Sequence, residues 1–211
     1  MSTANSISKK KNFPFFKELA TIKGEWKVQF DPALGGLVKP LTFAKLLDWT
    51  TSAENGVKYY SGTAVYEKIF DMPNRQIKNK KLELLLNIGS VKHIASVKIN
   101  NTDLGVIWTA PYQVKITAGL LKASGNQLII EVSNVWANRL IGDEQDLSDC
   151  EWIPGYISGG FSLKEFTDWF LNKQPRPSKG RYCFTTWNYF TKDSPLISSG
   201  LLGPLRILQQ E

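Results

Sequence analysis

Seven acids fall in the stretch after Arg139: Asp143, Glu144 and Asp146, then Asp149 and Glu151, then Glu165 and Asp168. The chemistry such a set would do is general acid–base or nucleophilic catalysis by a carboxyl pair, as in glycoside cleavage, which needs two carboxyls about 5 to 9.5 Å apart across a cleft. Spacing alone places no such pair. Adjacent acids in a loop more often pair with a neighbouring base, here Arg139, or cap a turn, so no catalytic residue is assigned. Loop carbonyls with Asp143 or Asp146 would also suit a hard cation such as calcium, but no defined set of metal ligands emerges. His93 is the only histidine and lies within SVKHIASVKI. Without a Ser, Cys or second His at motif spacing it supports neither a triad nor a zinc centre, and reads as a surface strand residue. Cys150 and Cys183 are spaced like neither a zinc pair nor a redox motif and read as free or incidental, with a disulfide between them left open.

The aromatics carry the stronger signal. Seven Trp, seven Tyr and eleven Phe are many for 211 residues, and Trp108, Tyr112, Trp136, Trp152, Tyr156 and Trp187 fall at loop or strand-end positions. Sugars stack their C–H faces on such rings while their hydroxyls seek Asn, Asp and Arg. Trp108, Tyr112, Trp136, Asn138, Arg139, Asp143 and Glu144 are therefore the candidate sugar-binding residues. The structural alternative is that Trp26, Trp108 and Trp136 fill a core and Asn138-Arg139 close a strand end. For the loop as a whole, ligand binding and packing against another domain weigh nearly evenly.

The elements that must position these residues are β-strands. VKYYSGTAVYEKIF alternates, with Val57, Tyr59, Thr63, Val65 and Ile69 on one parity. IASVKINNTDLGVIW reads as a hairpin turning at Asn100-Asn101, Ala110-Pro111 forces a turn or extended backbone before YQVKIT, and LIIEVSNVW is too apolar for an edge strand. GEWKVQF is expected to be the first strand, LTFAKLLDWT a short helix or turn, LIGDEQDLSDCEWIPGYISGGF a long loop, and SLKEFTDWFLNK a helix capped by Ser162 and Glu165. GRYCFTTWNYF and SGLLGPLRILQQ read as the last two strands, the final one free to pair with the first. The expectation is all-β: a jelly-roll β-sandwich over residues 24–211 with an inserted loop and helix at about 140–180, preceded by a polar and aromatic segment over 1–23.

A chain of this length buries roughly 70 % of its unfolded surface and needs neither disulfide nor metal to hold a core. The net charge of +7 comes partly from Lys9, Lys10 and Lys11 and from Lys78, Lys80 and Lys81. No nucleic-acid motif accompanies these runs, so nucleic acid is not an expected partner. No apolar signal core and no span of ~18 apolar residues occurs. A cytoplasmic, membrane-free location is the corresponding expectation.

The series GEWKVQF, YYSGTAVYEKIF, LNIGSVKHIASVKINNTDLGVIWTAPYQVKIT, GNQLIIEVSNVWANRLIGDE and SGLLGPLRI resembles the carboxy-terminal, galactose-binding-like β-sandwich of glycoside hydrolase family 106 α-L-rhamnosidases. More distantly it is similar to the sugar-binding domain of family 2 enzymes. VKINNTDLGVIWTAPY and NVWANRLIGDE are its most specific pieces. The resemblance implies a β-sandwich whose partners are a carbohydrate or a glycosidase catalytic domain. It transfers no activity, because the family's catalytic carboxylates sit on a barrel of about 250 residues that this sequence does not supply. The reading is thus a non-catalytic carbohydrate-binding or accessory module, with a terminal fragment or subunit of an α-L-rhamnosidase-type hydrolase as the alternative.

Overall fold

A computed structural model describes residues 15–72, 83–155 and 159–210. Lys9 to Lys11, the 78–81 lysines and Tyr156 lie outside them. Two antiparallel sheets face each other. One is four-stranded, in the order β1 (Phe16–Ile22), β15 (Leu205–Gln210), β5 (Leu84–Asn87), β9 (Gln113–Ile116). The other is six-stranded: β3 (Leu41–Phe43), β2 (Trp26–Gln29), β4 (Thr63–Phe70), β10 (Asn126–Ser133), β7 (Ile94–Ile99), β8 (Thr102–Ile107). The all-β sandwich read from the sequence is what forms.

Alternation explains which faces meet. In β10, Leu128, Ile130 and Val132 are fully buried while Ile129, Glu131 and Ser133 between them are half-exposed. Opposite them, Leu84, Leu86, Leu205 and Ile207 come from the four-stranded sheet. Phe30, Trp49 and Tyr60 close one side of this core as an edge-to-face trio with ring centroids 5.0 to 5.7 Å apart, each burial contributing roughly 1.5–3 kcal/mol. The β7–β8 hairpin turns at Asn100 and Asn101, both at positive φ, as its Asn-Asn sequence leads one to expect.

Several expectations need correction. The first strand is Phe16–Ile22, not GEWKVQF, and it is this strand that pairs along the last one, Ile22 opposite Leu205. Residues 55–58 form a single helical turn, α1 (Asn55–Lys58), and β4 begins only at Thr63 with the other parity inward: Ala64, Tyr66 and Phe70 are buried, whereas Ile69 faces solvent. Tyr66 decides the face, because its ring carries more apolar area than Val65 and its hydroxyl accepts a hydrogen bond from the buried Trp49 indole at 2.6 Å. LTFAKLLDWT splits into β3 and a 3-10 turn, Trp49–Thr51, whose cap Asp48 also accepts from Ser199 N at 3.1 Å.

The insertion is corrected as well. Its start is a helix, α2 (Ala137–Asp143), rather than loop. Farther on, β11 (Trp152–Pro154), β12 (Phe161–Leu163) and β13 (Trp187–Asn188) make a small separate sheet, and β6 (Ser90–Lys92) pairs with β14 (Gly200–Gly203). The expected capped helix shrinks to α3 (Asp168–Leu171), because Ser162 and Leu163 are taken by β12 and Lys164 N donates to Glu151 O.

A buried charge clasp and an aromatic cleft

Helix α2 is tied to the sandwich at its N-terminal half and to the insertion at its C-terminal half. Asn138, fully buried, donates to Ile197 O at 2.7 Å and accepts from Ile197 N at 2.8 Å. Arg139 N donates to the buried Ser61 hydroxyl at 3.0 Å. Gly142 permits this seating, since a Cβ there would lie 2.5 Å from both Tyr59 Cβ and Arg139 Nη2.

One turn apart on the same helix face, Arg139 Nε and Asp143 Oδ1 pair at 2.9 Å. The other oxygen of Asp143, which is 2 % exposed, accepts from the backbone N–H groups of Tyr182 at 3.1 Å and Cys183 at 2.7 Å. Arg139 also lies over the Tyr182 ring, 4.8 Å from its centroid. Asp149 is held similarly: Arg176 donates to both its oxygens, at 2.5 and 3.0 Å, and to Cys183 O, while Ser178 adds a bond at 2.7 Å. These bonds pull the Asp149 carboxyl well below the usual carboxylate range, with the Arg176 hydrogen bonds the largest cause. They also explain why GRYCFTTWNYF is not a long strand. Its backbone groups at 182 and 183 bond to side chains instead of a ladder, leaving only Trp187–Asn188 in a sheet.

Beside this clasp runs a cleft of about 350 Å³, whose lining includes Leu140, Glu144, Arg181, Trp187, Asn188 and Tyr189. Arg181, 8 % exposed, gives Nη1 to the carbonyls of Asp143 and Asp146 and Nη2 to Glu144 Oε1 at 2.5 Å. Its Nε–H meets no acceptor among the described residues. Trp187 and Tyr189, 47 % and 57 % exposed, stand with ring centroids 5.4 Å apart and planes tilted by 38°. The Trp187 indole is steadied by donating to Gly159 O at 3.2 Å. A larger groove, about 570 Å³, passes Asp149, Glu151, Glu165 and Asp168. Glu151 there pairs with Lys164 at 2.6 Å, which lowers its pKa as Arg176 lowers that of Asp149. A glycosidic general acid requires the opposite, a carboxyl raised by an apolar setting.

The residues singled out in the sequence therefore separate. Asn138, Arg139 and Asp143 are buried in the clasp, and Glu144 closes α2 at the cleft. Trp108 and Trp136 are exposed, at 71 % and 57 %, and leave the same end of the six-stranded sheet from β8 and β10, with β7 between them. Tyr112, half-buried, packs against the core in the β8–β9 turn. His93 sits at the junction of β6 and β7, half-buried. Both Asp143 oxygens accept N–H groups, so the calcium reading of that acid gives way to an anchoring one. Among the described residues no group of three or more His, Cys, Asp or Glu is placed to hold a metal, and no helix is long and apolar enough to cross a membrane. Arg181 and Tyr189 were missed in the sequence. Their signal was the alternation of Arg, aromatic and polar residues through 181–190.

A two-sheet body with an aromatic-lined cleft on its insertion is a form suited to holding a ligand. No family model matches the chain. It is 40 % identical over 187 residues to a putative β-glucuronidase of Formosa agariphila, a match covering 88 % of this chain and 15 % of that protein. It superposes over 99 % of its length on 16 % of the rhamnosidase of Novosphingobium sp. PP1Y, with TM-score 0.74 and 28 % identity. A β-glucuronidase of Ruminococcus gnavus bound to uronic deoxynojirimycin shares the fold alone, at TM-score 0.51 and 16 % identity over 95 % of this chain and 30 % of that one. The chain is a glycoside hydrolase-related β-sandwich that spans about 15 % of the length of the curated relative it matches.

Proposed function

We propose that this sandwich is a non-catalytic accessory module of a glycoside hydrolase: a galactose-binding-like jelly roll, akin to the carboxy-terminal domain of family 106 α-L-rhamnosidases, that grips carbohydrate or braces a catalytic domain. The observation carrying this reading is the engagement of the insertion's acids. Asp143, Glu144 and Asp149 each hold a guanidinium, and Asp143 holds two backbone N–H groups besides. Freeing Asp143 for a reaction would release the 182–183 backbone from α2. Trp108 and Trp136 supply exposed rings for a sugar or a neighbouring domain.

A second reading, a terminal piece or subunit of an α-L-rhamnosidase-type hydrolase, is favoured by the near-complete superposition on 16 % of a much longer rhamnosidase. Both readings put the reacting carboxylates outside this chain and make carbohydrate or a catalytic domain the partner, rather than nucleic acid or membrane. The purified chain, incubated with aryl α-L-rhamnoside and aryl β-D-glucuronide, is expected to release no aryl alcohol above the buffer rate. Saturable release by the chain alone would refute the proposal.

A further inference from the structure

We infer that the cleft between α2 and the 181–190 segment is a binding site for a neutral pyranose sugar, with the Trp187 and Tyr189 rings against its C–H face and the Arg181–Glu144 pair along its hydroxyl edge. This deepens the accessory-module reading and rests on it. The volume, about 350 Å³, falls in the range of small-ligand sites, roughly 300 to 1,000 Å³. The two rings lie close enough, and tilted enough, to form one aromatic wall, which suits the apolar face of a sugar ring.

The polar groups point the same way. Arg181 is buried and fixes Glu144 on the lining, giving Nη2 to its Oε1. A ligand hydroxyl donates to Glu144, whose Oε1 alone is engaged by Arg181. Asn188 adds a donor and an acceptor on the same lining. Neutrality follows from the charge count at the cleft. Arg181 is matched by Glu144 and Arg139 by Asp143, so the lining has no net charge and no cation is left over for a carboxylate or sulfate. The walls are fixed in advance, because Asp143 and Arg176 hold the backbone at 182 and 183 from both sides.

The test is a titration of the folded chain with methyl β-D-glucopyranoside, methyl α-L-rhamnopyranoside and glucuronate, followed by the indole N–H signals in NMR. The expected result is saturable movement of the Trp187 signal with at least one neutral glycoside and a smaller response to glucuronate. Trp187→Ala should weaken that binding about tenfold or more at unchanged melting temperature. Arg181→Lys removes the guanidinium bonds to Asp143 O, Asp146 O and Glu144, so it should weaken binding and lower the melt together, and Trp187→Ala carries the distinction. Tyr189→Ala, at a more exposed position, serves if either variant melts early. Binding that persists unchanged in Trp187→Ala and Tyr189→Ala would overturn the cleft assignment while leaving the module reading in place, as would tighter binding of glucuronate. A Trp187 signal that stays still with all three sugars up to tens of millimolar would overturn the assignment too. Turnover of any glycoside would count against the module reading alone.

Discussion

Arg139 and Asp143 were candidate sugar contacts by residue type, and burial reassigns them. An ion pair with both members nearly inaccessible holds the fold and has no surface to offer a ligand. Arg139→Ala should therefore lower stability by roughly 3–5 kcal/mol, since it strands a buried carboxylate; a thermal melt reads this directly. A variant with unchanged melting temperature and weakened sugar binding would show the opposite role. Asp149 makes a pH prediction. Its folded pKa is depressed, so the stabilisation is complete above the ordinary value of 3.8 and is lost as pH falls below it toward the folded value. The melting-temperature gap between the native chain and Asp149→Asn should thus be constant from pH 7 to about 5 and close below about 4. Half of this clasp was legible: Arg139 and Asp143 are four residues apart, and their pairing was the more economical reading. The other half, the Tyr182 and Cys183 N–H groups, lies about 40 residues on, where no periodicity signals it.

Among the elements, those with strict alternation or a characteristic turn were readable, as β10 and the Asn100-Asn101 hairpin demonstrate. Errors arose where tertiary contacts override the local pattern. In β4 both parities carry apolar residues, and only the Tyr66–Trp49 bond across the core selects the inner one. FKELATI hides as a strand because it is an edge, exposed along its first half, yet its Ile22 end is buried beside Leu205. A chain begun at Gly24 should consequently lose one of the two partners of β15, keeping β5. It is expected to melt several degrees lower, Ile22 alone contributing roughly 1.5–3 kcal/mol. Equal melting temperatures with and without residues 1–23 would show that β1 adds nothing to the sheet.

For the whole molecule, the proposed reading is that Asp143, Glu144 and Asp149 brace the insertion and that none of the chain's carboxylates performs a reaction. The exposed rings of Phe161, Phe166, Phe170, Trp187 and Tyr189 all belong to that insertion. The most direct test measures glycoside hydrolysis and melting temperature together in the native chain, Glu144→Gln, Glu165→Gln and Asp168→Asn. No aryl glycoside should be hydrolysed by any of the four, and only Glu144→Gln, which releases Arg181, should melt lower. Hydrolysis by the native chain that disappears in one of these variants at an unchanged melting temperature would contradict the account.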